Sequence, residues 1–267
     1  MITGLGFTEV MAVLLLVLIF FGSKELPRFV REAAQLMAKA RAYSDKVRRE
    51  LDDLSRSVDP RQANTAPAVD EVGRKKKELR RRFLEARSAV GEEERRTKAA
   101  SIVNHLLAAE EVRTARAVMV YMSMGDEVPT AELIDRLREM GKRVVLPYCR
   151  THSRDLGIAA VEDLQTELAP GAFGVSEPIE SIRDNFFKSD LHLVICPGVG
   201  FDTYGGRLGR GKAFYDNFLR ELSGKVPVYG VAFDCQISRE SFPFDYHDVP
   251  VDQVVTESGL LIAPNEG

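Results

Sequence analysis

The first apolar block of the chain is unbroken: Val10 to Phe21 holds twelve apolar residues in a row, and Ile2 to Phe21 adds only Thr3, Thr8 and Glu9 as strongly polar members. Twelve helical residues rise about 18 Å and twenty about 30 Å, so the pattern predicts a short membrane-crossing helix over about residues 4–22. A secretory signal peptide is the rival reading, but no basic stretch precedes the block and no A-x-A site follows it. The cations come afterwards. Between Ser23 and Leu51 lie eight Lys or Arg against four acids, which by the positive-inside bias places the N-terminus outside and the rest of the chain in the cytoplasm. Leu26, Phe29, Val30, Ala33, Met37, Ala40, Val47, Leu51 and Leu54 then recur at helical spacing, with Pro27 suited to a first turn. This predicts an amphipathic helix over about residues 26–54, its basic face lying on anionic headgroups or its apolar stripe packing on a partner.

Apolar periodicity then lapses. Asp52 to Gly73 carries two prolines and many small polar residues and reads as a flexible linker, with boundaries at 55–73. From Arg74 to residue 267 the pattern is that of a second domain. Two amphipathic helical runs separate at Gly91, and apolar strand-like runs follow at Ala117 to Met122, Arg143 to Leu146, Leu193 to Cys196, Val228 to Phe233 and Val251 to Val255. Helical stretches at Thr130 to Met140 and Lys212 to Leu222 fall among them. Near-continuous apolar strands alternating with helices predict a layered α/β domain on a mainly parallel sheet, with ligands off the carboxyl ends of its strands.

Composition changes this picture little. A formal net charge of −3 gives no basic field, so nucleic acid is not an expected partner. Three scattered cysteines make no disulfide framework, and four dispersed histidines make no metal-ligand spacing.

The chemistry concentrates after Leu193 to Cys196, in PGVGFDTYGGRLGRGKAFYDNFL. Gly198 to Gly211 includes six glycines, and Arg207, Arg210 and Lys212 stand just before a helix. Glycines let backbone N–H groups approach an anion, the helix N-terminus adds partial positive charge, and Arg and Lys donate to phosphate oxygens. A glycine-rich turn with solvated cations is the plain alternative. Gly206 to Lys212 formally matches G-x-x-x-x-G-K, but Ala213 replaces the hydroxyl that would hold magnesium, a role Asp216 could take.

Two families are recognisable in these words. FGSKELPRFVREAAQLMAKAR, with Glu9 near the start of the span, resembles the A/B-type subunits of the twin-arginine protein translocase over residues 1–54, although Ser23 stands where that family usually has Pro. This resemblance implies a single-pass location in a bacterial inner membrane and other translocase subunits as partners. PGVGFDTYGGRLGRGKAFYDNFL, together with KKELR, MSMGDEVPT, LREMGKRVVLP, GVSEP and HDVPVDQVVTE in order, resembles the 5-formyltetrahydrofolate cyclo-ligases over residues 75–257. That resemblance implies an ATP- and Mg2+-dependent ligase converting 5-formyltetrahydrofolate to 5,10-methenyltetrahydrofolate.

Carried over by position, it implies that Lys76, Arg80 and the loop Arg207, Leu208, Gly209, Arg210, Gly211, Lys212, Ala213, Phe214 and Tyr215 bind ATP, and that Arg210 and Lys212 are catalytic. It further implies that Met122, Glu127, Arg80, Arg210 and Phe214 hold the folate and that Asp216 and Asp248 serve magnesium. The chain departs from the family's usual G-K-G-Y-Y-D at Ala213 and Phe214, which implies reduced rather than abolished activity provided Ala213 keeps an ordinary helical φ. The other function the sequence leaves open is a translocase component whose second domain binds nucleotide or folate without turnover.

Overall fold

The computed structural model describes residues 68–150, 152–222 and 224–262; the expected membrane helix, the amphipathic helix and Glu9 lie outside them. Among the described residues no helix is long and apolar enough to cross a membrane.

Helix α1 (Ala68–Ser88) begins within the stretch read as linker, so residues 68–73 are helical and Gly73 is carried inside the helix. Helix α2 (Glu92–Ala108) follows Gly91, opens on three glutamates that suit the positive end of its dipole, and leads into the single turn α3 (Glu110–Thr114). The chain then alternates through β1 (Ala117–Val120), α4 (Ala131–Glu139), β2 (Arg143–Arg150), β3 (Asp155–Ala160), the hairpin β4 (Leu168–Pro170) and β5 (Ser176–Pro178), and β6 (Leu193–Pro197). It continues with β7 (Gly200–Asp202), β8 (Arg207–Leu208), α5 (Phe214–Leu222), β9 (Val228–Val231), β10 (Ile237–Ser238), β11 (Gln253–Thr256) and β12 (Gly259–Ile262).

Seven strands form the main sheet in the order β12-β11-β9-β6-β1-β2-β3. The five inner strands pair in parallel, as their unbroken apolar runs require, and the two edge strands β3 and β12 run antiparallel. Alternation along each inner strand divides the core in two. Val118, Val120, Val144, Leu146, Leu193 and Ile195 face a layer containing Ile102, Leu106, Leu133, Ile134 and Leu137 from α2 and α4. Met119, Val145, Val194 and Cys196 face the opposite layer, with Phe218, Leu219 and Leu222 of α5.

β1 and β2 step outward in one direction from the middle of the sheet and β6, β9 and β11 in the other. The order therefore reverses between β1 and β6, and chain leaving the carboxyl ends of these two strands splays apart to open a crevice. The apolar run at Ala117 to Met122 outlasts its strand for this reason: Tyr121 and Met122 turn off the sheet and line the crevice. Val251 likewise falls outside β11, its N–H donating to the Gly205 carbonyl at 2.9 Å instead of to the sheet.

Candidate active site

The crevice is a cavity of about 480 Å3, in the range of small-molecule sites, walled by Tyr121, Met122, Tyr148, Val199, Phe173 and Phe214 among others. Three carboxylates reach this largely apolar wall: Glu127 and Glu177, both buried, and the partly exposed Asp216. Glu127 sits on the turn between β1 and α4. Its Oε2 accepts from the Met124 N–H at 3.1 Å, its own N–H donates to the Met124 carbonyl at 3.1 Å, and its Oε1 receives the Arg210 guanidinium at 2.8 Å. Glu177 accepts the Cys149 N–H at 3.0 Å. Cys149 lines the same wall, and burial pushes its thiol up to about 12, so it is a neutral side chain rather than a nucleophile.

The glycine loop lines the same cavity. β7 and β8 pair as a small hairpin whose turn is pinned by Asp202: its Oδ1 accepts the Tyr204 and Gly206 N–H groups at 2.9 and 2.7 Å, and its Oδ2 the Phe242 N–H at 2.7 Å. A Cβ on Gly206 would stand 2.2 Å from that carboxylate, so no larger residue fits there. Beyond β8 the chain takes left-handed conformations at Gly211 (φ 87) and Ala213 (φ 59) before α5 begins, which is why the helix starts at Phe214 and not at Lys212.

Ala213 thus lacks the helical φ on which its tolerance depended, and its Cβ meets the steric cost of the left-handed region. Relief of that strain outweighs the extra unfolded-state entropy of glycine, so Ala213→Gly is expected to stabilise the domain by roughly 0.5 to 1 kcal/mol. A rise of about 2 °C in the thermal midpoint, with turnover maintained or increased, is the result to measure.

Among the sequence-derived site residues, Met122, Glu127, Arg207, Gly209, Arg210, Gly211, Lys212, Ala213, Phe214, Tyr215 and Asp216 all line the cavity. Lys76, Arg80, Asp248 and Leu208 are not in its wall. Leu208 is buried with Phe83, Val199 and Phe242, so its side chain is packing. Arg80 lies alongside the glycine loop: its Nε donates to the Gly209 carbonyl at 2.8 Å, and its guanidinium comes within 3.5 Å of where a Cβ of Gly211 would stand. Burial lowers its pKa from the ordinary value while Asp248 and Asp216 act in the opposite sense, so the three groups share one neighbourhood. Lys76 ion-pairs with Asp248. α1 therefore brings one cation, Arg80, against the loop that carries three more, and a second, Lys76, to Asp248.

Arg207 is the most deeply placed of these cations. Its side chain is 2% exposed, its Nη2 donates to Asp216 Oδ1 at 2.6 Å, and its Nε is buried with no acceptor. The Arg207 side chain lines the cavity, where a guanidinium suits an anionic guest. Lys212 is exposed and rests with Nζ 3.3 Å from the centroid of the Phe173 ring, which in turn packs edge-on against Phe214.

The two candidate magnesium acids converge through neighbouring backbone: Asp216 Oδ1 accepts the Val249 N–H at 3.4 Å, next to Asp248. Each is already ion-paired, Asp216 with Arg207 and Asp248 with Lys76. Among the described residues, however, Asp216 Oδ2 and Asp248 Oδ1 accept no hydrogen bond, and no group of three or more His, Cys, Asp or Glu side chains assembles. One or two carboxylates with free oxygens beside the glycine loop fit Mg2+, which keeps most of its waters, better than a metal needing an all-protein cage.

Comparison with known proteins agrees with this geometry. Residues 3–50 match the mttA/Hcf106 family, and residues 72–257 match the 5-formyltetrahydrofolate cyclo-ligase family. The 5-formyltetrahydrofolate cyclo-ligase of Escherichia coli is 37% identical over 145 residues, covering 54% of this chain and 79% of the relative. The mouse cyclo-ligase is 28% identical over 194 residues, covering 70% and 95%. The structure of the Aquifex aeolicus 5,10-methenyltetrahydrofolate synthetase superposes with a TM-score of 0.62 at 32% identity, covering 72% of this chain and 94% of that one. With the crevice at the sheet's switch point, the loop in its wall and a family match across residues 72–257, the chain belongs to the 5-formyltetrahydrofolate cyclo-ligase family.

Proposed function

We propose that the described domain converts 5-formyltetrahydrofolate to 5,10-methenyltetrahydrofolate with conversion of ATP to ADP and phosphate. A formamide oxygen is a weak nucleophile and hydroxide a poor leaving group, so the reaction needs that oxygen phosphorylated. The formyl oxygen takes the γ-phosphoryl group as ADP departs. N10 of the folate then bonds to the activated carbon and loses its proton, and phosphate leaves with the former formyl oxygen.

The apolar cavity and Glu127 are assigned to the folate. Lys76, Arg80, Arg207, Lys212 and the loop around Gly209 and Gly211 are assigned to the nucleotide. Phosphoryl transfer is catalysed chiefly by fixed charge and positioning, so Arg210 and Lys212 are given the transferring group. Arg210 must then release Glu127, its partner here, and its half-exposed side chain leaves it free to swing. Asp216 and Asp248 would hold Mg2+, which when bound neutralises phosphate charge.

The single observation that carries this reading is the meeting of a buried carboxylate in an apolar cavity with a buried arginine of a glycine loop, both lining one crevice. Purified full-length protein should produce methenyltetrahydrofolate absorbance and ADP in equal amounts, and neither after magnesium is chelated. Nucleotide binding without folate turnover would favour the non-catalytic alternative.

The match of residues 3–50 supports a second part of the proposal: the chain is tethered to a bacterial inner membrane by one pass, with residues 1–54 as the membrane segment and the catalytic domain on the cytoplasmic side. Because the proposed chemistry rests on residues of the second domain alone, Glu9→Ala is expected to leave turnover of the detergent-solubilised full chain unchanged, a comparison of kcat/KM being sufficient to check it.

A further inference from the structure

We infer that Arg87 and Asp126 form a positioning pair that fixes the Glu127 carboxylate in the cavity, and so set affinity for the folate without touching it. The inference rests on the folate role proposed for Glu127. Arg87 stands in the last turn of α1 and is only 2% exposed, the largest of the fully buried side chains among the described residues. Its Nη2 donates to Asp126 Oδ1 at 2.6 Å, while its Nε finds no acceptor.

As a device for stability this is poor design. A buried charge with one partner and an orphaned donor recovers little of its desolvation cost, and apolar residues of equal volume commonly serve a core as well or better. What an apolar residue could not do is hold the carboxylate of the residue just before Glu127. The turn needs such a hold. It pivots at Gly125 (φ 57), and Met124, Gly125 and Asp126 are all at least partly exposed. The Ser123 and Thr130 exchange secures its ends, with Ser123 N–H donating to Thr130 Oγ1 at 3.1 Å and Thr130 N–H to Ser123 Oγ at 3.3 Å. Within the turn, the Met124 and Glu127 hydrogen bonds fix Glu127 only relative to the turn itself. The Arg87 pair ties the turn to α1, the helix whose Arg80 also holds the glycine loop and whose Lys76 pairs with Asp248. One rigid element thereby holds both the turn and the loop that line the crevice, and a displacement of well under an ångström at Asp126 passes to a carboxylate one residue away.

The test is a double-mutant cycle in the full-length protein, read as separate kinetic constants. Asp126→Asn keeps the size of a partly exposed side chain and removes its charge. It is expected to raise KM for 5-formyltetrahydrofolate about tenfold, leaving kcat within about threefold and KM for ATP within about twofold. Arg87→Lys, if it folds, should restore part of the loss seen in Arg87→Met. In a Glu127→Gln background Asp126→Asn should add no further change, because both act through one carboxylate. An unaltered folate KM in Asp126→Asn, or an effect that adds fully to that of Glu127→Gln, would overturn the inference while leaving the pocket's assignment intact. Wild-type behaviour of Glu127→Gln would instead overturn that assignment, and the inference with it.

Discussion

Lys212→Ala is expected to lower kcat by about two to three orders of magnitude, the cost of roughly 3 to 4 kcal/mol that removal of one prepositioned charge donor typically carries in a transition state. The fold should be indifferent. Lys212 is exposed and rests on the face of Phe173, so the thermal midpoint should stay within about a degree and the KM for ATP should move far less than kcat. Lys212→Arg separates charge from geometry: the positive charge survives, but a planar fork cannot replace a compact ammonium on the same loop, and recovery should be partial. Methenyltetrahydrofolate absorbance against time gives kcat, and calorimetry or fluorescence the midpoint. Undiminished turnover in Lys212→Ala would remove this residue from the chemistry.

Arg207→Ala is expected to fail for a different reason. The Arg207 guanidinium and the Asp216 carboxylate neutralise one another at 2.6 Å in a largely buried setting. Taking away one partner strands the other, which costs about 3 to 5 kcal/mol where burial is nearly complete, and the partial exposure of Asp216 places the expectation at the lower end. Nucleotide binding should be lost as well, because the Arg207 side chain lines the cavity. Denaturant unfolding at fixed slope measures the first effect and titration with ATP the second. The double variant Arg207→Met with Asp216→Leu should recover stability without recovering ATP binding, which a purely structural role for the pair would not predict.

How much of this was legible beforehand depends on what each residue's neighbours are. The inner strands were readable because both their faces are buried, so Val118 to Val120 and Leu193 to Cys196 show as unbroken apolar words. β3 was not, because DLGIAA carries Gly and two Ala of low strand propensity although its four central residues are buried, and Gly157 is demanded by contact rather than by propensity: a Cβ there would stand 2.4 Å from the hydroxyl of Tyr148 on the paired strand. The start of α1 at Ala68 was hidden by prolines just upstream and by Gly73, which packing elsewhere along the helix overrides.

In the site, the loop's glycines and cations announced a phosphate cradle from types and spacing alone. Three things needed coordinates. Leu208 turns inward to Phe83 and Phe242 rather than toward the cavity, and sequence gives no sign of which way a residue in a two-residue strand will face. Ala213 adopts a φ of 59, set by the turn between Gly211 and α5 and not by its own preference. Arg87 reads in sequence as one more cation in a basic helix, and only its 2% exposure and its distance to Asp126 distinguish it from solvated neighbours such as Arg82.

The central claim is that the formyl oxygen itself takes the γ-phosphoryl group in this crevice, and the fate of that oxygen tests it most directly. With 5-formyltetrahydrofolate labelled by oxygen-18 in the formyl group, the account predicts that inorganic phosphate released by the full-length protein carries one labelled oxygen for each methenyltetrahydrofolate formed. Unlabelled phosphate, with the label appearing in water while folate is still cyclised, would contradict it.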